Sequence, residues 1–321
     1  MKRFFVNTWS FTKEMFEEWI DDNCSQMAAA LSYYTIFSLA PMMIIVISLA
    51  GYFFGREAVT GELFNQIRGL IGADGAKAIQ TMVENAYRDR SGLIPTLLGI
   101  GTLIFSATVT FAALQESLNA IWKVKPNPNN GIKGIIRLVI NRLLSFTMVL
   151  GIGFFLIISL VVSSLINVLS NYIQRILGDS SLALFNTLEL AVSSAILVLL
   201  FAVIFKFLPD AKIKWRNVWR ASILTTILFS VGKYLISLYI GQSDFTSTYG
   251  AAASIIIIIL WINYSCWIFF VGAEYAYVFM KRRGEEIEPA EHAIKIKRFE
   301  RKVEIKSESN KNEKVTGPVK G

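Results

Sequence analysis

The chain has 321 residues, of which 54% are hydrophobic and 17% are charged, and its formal net charge is +8. Soluble domains carry about 25% charged residues, so this composition excludes an ordinary cytosolic globular protein. The two cysteines, Cys24 and Cys266, are too few for a secreted scaffold built on disulfides. Three stretches, 23–55, 143–174 and 245–273, contain no Asp, Glu, Lys or Arg, and each exceeds the roughly 20 residues that cross a bilayer. The composition therefore indicates a polytopic membrane protein.

The N-terminal segment, 1–27, predicts an amphipathic helix. Its four large aromatic residues recur at spacings that place them on one helical face, while the carboxylates lie elsewhere: Phe5, Trp9, Phe16 and Trp19. Two placements fit this pattern equally well. The helix lies in the cytoplasmic membrane interface, or it packs on the cytoplasmic ends of a helix bundle.

Continuous apolar runs beyond residue 27 predict an all-α transmembrane domain over 28–280. We expect six transmembrane helices, near 28–54, 92–122, 138–170, 182–207, 217–241 and 248–280. Between the first two spans, helical apolar spacing that breaks at Gly72–Gly75 predicts two short helices on the outer side. Residues 281–321 are highly charged and basic, which is typical of a partly helical or disordered cytoplasmic tail.

The orientation follows from the basic residues, which collect in cytoplasmic segments. If the N-terminus is inside, 25 of the 32 Lys and Arg residues fall on the cytoplasmic side and six fall outside. The remaining one, Lys233, lies within a span. The distribution predicts a multi-pass protein of the cell membrane with both termini in the cytoplasm.

Charged residues inside the spans are the first candidates for function, because each costs about 2.5–3.5 kcal/mol on insertion scales. We single out five of them: Glu116, Arg142, Glu189, Lys233 and Glu274. We hypothesise that Glu189 pairs with Lys233, and that Arg142 pairs with Glu116 or Glu274. Such pairs either fix the helix register or line a substrate or ion path, and the sequence leaves both interpretations open.

Polar residues cluster in the first and second spans and suggest a partly hydrated interior. The first span carries Ser32 and Tyr34 among small residues that allow close helix approach. Gln115, Glu116 and Asn119 make the cytoplasmic half of the second span unusually polar, which packing alone explains poorly. We therefore expect a cavity lined by the first, second and sixth spans.

Five ordered blocks of sequence carry a family resemblance. They are AAALSYYTIFSLAP (28–41), FSATVTFAALQESLNAIW (105–122), LPDAKIKWRNVW (208–219), YGAAAS (249–254) and FVGAEY (270–275). Together they resemble the YihY/BrkB family of bacterial inner-membrane proteins, although Ala253 stands where the family block usually has glycine. The resemblance implies a six-span cytoplasmic-membrane protein. Family members have been called ribonuclease-like or virulence-associated, and transport roles have been suggested for some.

The chemistry-bearing residues favour a protein that is not an enzyme. A metal-dependent or His-pair nuclease needs His, Asp or Glu clusters, and the chain has a single histidine, His292. The positive-inside distribution accounts for most of the net charge, so we expect no nucleic-acid partner, and no cofactor is implied. The partners that we expect are the lipid bilayer, with anionic lipids at the basic cytoplasmic face, and a small-molecule or ion substrate.

The function that the sequence favours is a transporter or exporter that moves a small molecule or ion through a cavity in the helix bundle, with Glu116 and Glu274 as candidate coupling residues. The alternative is a membrane scaffold or lipid-interacting envelope protein, and we expect no ribonuclease activity. The oligomeric state does not follow from the sequence.

Overall fold

The computed structural model describes residues 2–88, 93–127, 182–242 and 252–296. Within these ranges the chain forms long helices and a few very short strands. In chain order they are α1 (Lys2–Asp21), α2 (Cys24–Phe54), α3 (Arg56–Arg88), α4 (Leu93–Ile121), β1 (Val124–Pro126), α5 (Leu182–Phe207), β2 (Ala211–Lys212), α6 (Trp215–Gln242), α7 (Ala253–Arg282), β3 (Glu288–Pro289) and β4 (Ala293–Lys295).

Five of the six predicted spans coincide with helices, namely α2, α4, α5, α6 and α7. Among the described residues, three stretches are long and apolar enough to cross a membrane: Cys24–Ser48, Leu190–Phe207 and Ala253–Arg282. The all-α membrane architecture is therefore confirmed. The predicted third span, 138–170, lies outside the described residues, so the count of six spans stays a prediction.

Helix α3 is two helices that meet at a kink, as the glycine-rich break in the sequence predicted. Gly72 has φ 81° and ψ 175°, a conformation that residues with a Cβ rarely adopt. The apolar residues of α3 pack against α2, α6 and α7 in one buried cluster, which includes Ile47, Ile67, Ile236 and Trp261. The two halves of α3 therefore cover the far end of α2, opposite its start at Cys24.

A second buried cluster fills the half of the bundle nearer Cys24. Phe205 of α5 stacks on Phe269 of α7, with ring centroids 4.8 Å apart. A Cβ at Gly272 would collide with the Thr225 hydroxyl, so only glycine permits the close approach of α6 and α7 at this point. Ser38 of α2 and Thr110 of α4 share a hydrogen bond of 2.8 Å. The helices are thus tightly packed at this level.

The first part of the C-terminal tail differs from the prediction of a helical or disordered segment. Residues 288–295 form β3 and β4, which pair antiparallel with β2 and β1, respectively. Strand β1 follows α4 and β2 follows α5, so the tail joins the ends of these two helices. Strands of two or three residues have no apolar periodicity, which is why the sequence pattern did not show them. Residues 297–321 lie outside the described residues.

Helix α1 combines features of both placements that the sequence left open. It packs on α7 through Phe11, whose ring meets Tyr275 edge-on, and through Trp19, whose ring meets Trp267. Trp9 and Phe16 remain 75% and 63% exposed. Helix α1 is therefore docked on the bundle while part of its apolar surface stays uncovered.

Candidate functional site

Most of the buried polar and charged residues of the described chain lie toward one end of the bundle, which we call the polar end. Here the junction of α1 and α2 and the start of α6 meet the ends of α4, α5 and α7, together with the ordered tail. Glu274 lies on α7 about two turns before the helix ends. Two polar centres lie at this end, one around Glu274 and one around Asp210.

Glu274 is fully buried, with 0% of its surface exposed. One carboxylate oxygen accepts a hydrogen bond from the Cys24 thiol at 3.3 Å. The other oxygen is buried and has no hydrogen-bond partner among the described residues. Burying a charge without a partner costs free energy, so this carboxyl is suited to binding a proton or a cation.

A buried ion pair lies beside Glu274. The Lys123 ammonium donates to both carboxylate oxygens of Asp22 at 2.5 Å and lies 3.3 Å from Glu18. Burial favours the neutral lysine, but the hydrogen bond to Asp22 and the negative charges of Asp22 and Glu18 outweigh it, so the pKa of Lys123 is raised. Asp22 is only 3% exposed, so Lys123 compensates a charge that water reaches poorly.

The acidic residues of α1 also hold the end of α7. Lys281 lies 2.8 Å from Glu18 and 3.0 Å from Glu14, and Arg282 donates to Glu14 at 2.7 Å. Burial raises the pKa of Glu18, but the hydrogen bond from Lys281 and the charges of Lys123 and Lys281 outweigh this effect and the pKa is lowered. These contacts are formed by the polar face of α1 and explain why the helix docks on α7.

A pocket of about 950 Å³ opens between α1, the ends of α4 and α7, and the tail. Its wall includes Asp22, Trp122, Lys123 and Tyr277. Tyr277 is one helical turn from Glu274 on α7, and Asp22 is two residues from Cys24. The pocket therefore lies near the buried Glu274 centre, and Asp22 and Lys123 line its wall.

The second centre is Asp210, which follows α5 and is 5% exposed. Its carboxylate accepts hydrogen bonds from Gln115 at 3.2 Å and from Asn119 at 2.8 Å, and lies 2.7 Å from the His292 ring nitrogen. The Asp210 amide in turn donates to Asn119 Oδ1 at 2.8 Å. This network ties α4, the residues after α5 and the tail together.

The structure brings some of the predicted site residues together and separates others. Gln115 and Asn119 meet at Asp210. Glu116, by contrast, is exposed on α4. Ser32 is buried but donates within its own helix, to the Ala29 carbonyl at 2.8 Å. Tyr34 is 39% exposed.

The two predicted charge pairs remain predictions. Lys233 is exposed on α6 and Glu189 lies on α5, the helix packed beside it. Arg142 lies outside the described residues, so its pairing with Glu116 or Glu274 also stays a prediction.

Sequence reasoning missed the residues that organise the polar end: Asp22, Lys123, Asp210 and His292. Asp210 stands in the LPDAKIKWRNVW block that carries the family resemblance, so its motif was visible although its partners were not. Asp22, Lys123 and His292 lie outside the predicted spans, whereas the candidates that the sequence predicted all lie within the spans.

The chain is similar to known membrane proteins over most of its length. The family model described as virulence factor BrkB matches residues 15–297. A UPF0761 membrane protein of Psychrobacter sp. is 27% identical over 89% of this chain and 51% of its own length. A UPF0761 membrane protein of Azotobacter vinelandii is 28% identical over 85% of this chain and 64% of its own length. The chain thus spans about half to two thirds of these relatives.

A third relative, of similar size, carries a different description. YfkH of Bacillus subtilis, named a ribonuclease-like protein, is 23% identical over 85% of this chain and 96% of its own length. No solved structure matches the chain. Because the family model covers most of the chain, including Glu18, Asp210 and Glu274, the protein belongs to the BrkB family.

Proposed function

We propose that this protein moves a small molecule or an ion across the cell membrane, without an enzymatic step, and that Glu274 is the coupling carboxylate. The buried Glu274 carboxyl carries this proposal. It lies within a stretch apolar enough to span a membrane, and one of its oxygens lacks a partner among the described residues. Ionisable groups in such positions typically belong to substrate paths or proton relays.

In the proposed mechanism, Glu274 exchanges protons or cations with water through the nearby pocket. The pocket reaches Trp122, Lys123 and Tyr277, which is one turn from Glu274. The Lys123 ammonium binds the carboxylates of Asp22 and Glu18. A substrate cation or proton that competes for either carboxylate would weaken the Asp22–Lys123 pair. In the proposed mechanism, opening of the Asp22–Lys123 pair connects Glu274 with the pocket.

We propose no ribonuclease activity, although the Bacillus subtilis relative is named ribonuclease-like. The Asp210–His292 pair is the one His–carboxylate pair of the described residues, and Gln115 and Asn119 occupy the same carboxylate. A carboxylate with three side-chain partners is suited to fastening helices rather than to holding a metal ion.

A membrane scaffold that interacts with lipid is the second candidate function. The exposed Trp9 and Phe16 of α1 favour it, because aromatic residues on an amphipathic helix insert into the membrane interface. An apolar groove of about 680 Å³, lined in part by Trp19, Tyr264 and Trp267, lies next to this surface. A scaffold needs no proton-binding group in the bundle, so the two candidates differ in what they require of Glu274.

Flux measurements on proteoliposomes test the proposal. The purified protein is reconstituted, a pH gradient is imposed, and uptake is measured for a panel of ions and metabolites. We expect Glu274→Gln to abolish flux of any substrate that the wild type moves, because glutamine has nearly the same shape but cannot bind a proton.

Glu116→Gln is the matched control, since it makes the same chemical change at an exposed position of α4. It should retain wild-type flux. Equal flux in wild type and Glu274→Gln would contradict the coupling role, and a wild type that moves nothing on the panel would favour the scaffold.

A further inference from the structure

Two arginines at the polar end rest on one aromatic ring. The guanidinium carbon of Arg220, on α6, lies 4.8 Å from the centre of the Phe279 ring, and that of Arg283 lies 4.6 Å from the same centre. Guanidinium groups stack favourably on aromatic rings, so both cations are held against the same ring, that of Phe279.

Neither cation has an acidic partner within the part of the chain that the structure describes. Glu285 is close by, but Arg216 donates to it at 2.9 Å, Asn217 at 3.1 Å, and Lys214 lies 3.6 Å away. One Nη atom of Arg220 is buried without a hydrogen-bond partner among the described residues. Arg220 and Arg283 therefore form a site of uncompensated positive charge.

This site lies where α6 changes from an interfacial to a lipid-facing surface. Trp215 and Trp219 are 44% and 41% exposed, and tryptophans at helix ends mark the headgroup level of a bilayer. One and two turns further along the same face, Ile223 and Ile227 are also exposed. The exposed apolar residues of α6 suit the acyl chains of a phospholipid, and the two guanidinium groups next to them suit its phosphate group.

We propose that Arg220 and Arg283 bind the phosphate group of an anionic phospholipid, whose acyl chains lie along Trp219, Ile223 and Ile227. Two guanidinium groups against one ring suit the several oxygens of a phosphodiester, and the negative charge of the lipid offsets part of their positive charge. This inference is independent of the transport function, because the site involves neither Glu274 nor the pocket beside it.

Lipid titration of the full-length protein tests the site. The protein is purified in mild detergent and titrated separately with phosphatidylglycerol and phosphatidylcholine, and bound lipid is counted by native mass spectrometry. The wild type should prefer phosphatidylglycerol. The double variant Arg220→Gln/Arg283→Gln should bind it about 25-fold more weakly, since each basic group near a membrane surface contributes roughly fivefold.

The control removes the same charge elsewhere at the polar end. Lys125 and Lys212 are exposed on β1 and β2, so Lys125→Gln/Lys212→Gln should bind phosphatidylglycerol within about twofold of the wild type. Phe279→Leu keeps both charges but removes the ring under them, and should weaken binding about threefold.

Three results would overturn the assignment. One is wild-type affinity in the double arginine variant, or in Phe279→Leu if the double variant does not fold. Another is an equal loss in the lysine control, which would mean that the lipid responds to net charge alone. The third is displacement of the lipid by free glycerol 3-phosphate at equal concentration, which would identify a site for soluble anions.

Discussion

Two buried acidic side chains lie close together at the polar end and have opposite environments. Asp22 has the Lys123 ammonium against both of its oxygens, whereas Glu274 has one thiol donor and one unbonded oxygen. Removing one member of a buried pair leaves a charge in a poorly solvated place, which costs more than the pair itself contributes. We therefore expect the Asp22–Lys123 pair to contribute to stability and Glu274 to bind a proton or a cation.

We predict that Lys123→Met lowers the free energy of unfolding by about 3–5 kcal/mol, because it leaves Asp22 buried and uncompensated. Denaturant unfolding in mixed micelles measures this change. The matched control is Lys13→Met, which breaks an ion pair whose side chains are 67% and 60% exposed. It should change stability by less than about 1 kcal/mol. Similar effects of the two variants would contradict the structural role of Lys123.

The same contacts define the pH window in which stability is highest. The raised pKa of Lys123 means that its contribution is complete below its ordinary pKa of 10.5 and is lost as the pH rises through the higher folded-state value. The lowered pKa of Glu18 means that its contribution is present above 4.5 and is lost as the pH falls through the lower folded-state value. Stability of Lys123→Met should thus decline less steeply at strongly alkaline pH than that of the wild type.

At the scale of helices and strands, the sequence predicted what depends on local pattern. Helix α5 has the predicted bounds, 182–207, because a continuous apolar run ends where charged and loop-forming residues begin. The break at Gly72–Gly75 was predicted from the apolar spacing, and Gly72 there adopts a positive φ that glycine tolerates. The tail strands and the Asp210 network were missed, because Asp210 is 91 residues from Asn119 and 82 from His292 in sequence. Sequence periodicity carries no information on pairs so far apart.

The role of Asp210 in fastening the tail gives a prediction about His292. His292→Ala removes the side-chain contact to Asp210, so strand β4 should open more often. Hydrogen exchange should then be faster at the Asn127 and Ile296 amides, which donate to the His292 and Lys123 carbonyls at 2.9 and 2.8 Å. Glu291→Ala changes the exposed neighbour and should leave this exchange unchanged. Unaltered exchange in His292→Ala would mean that the backbone ladder alone holds the tail.

At the scale of the whole molecule, the two ends of the bundle differ in chemistry. Helix α2 has 31 residues and is about 46 Å long, enough to separate the polar end at Cys24 from α3 by a bilayer core. The polar end gathers most basic residues of the described chain, and α3 balances basic with acidic residues. The positive-inside rule then predicts that the polar end faces the cytoplasm and that α3 lies outside.

Labelling of introduced cysteines tests this orientation. Glu84 of α3 and Glu286 of the tail are both exposed, and the native Cys24 and Cys266 are buried, so background labelling should be low. In intact cells, a membrane-impermeant maleimide should label Glu84→Cys, because α3 faces outward. It should label Glu286→Cys only after the membrane is opened. The reverse pattern would place the polar end outside, and labelling of both variants in intact cells would contradict the spanning of α2.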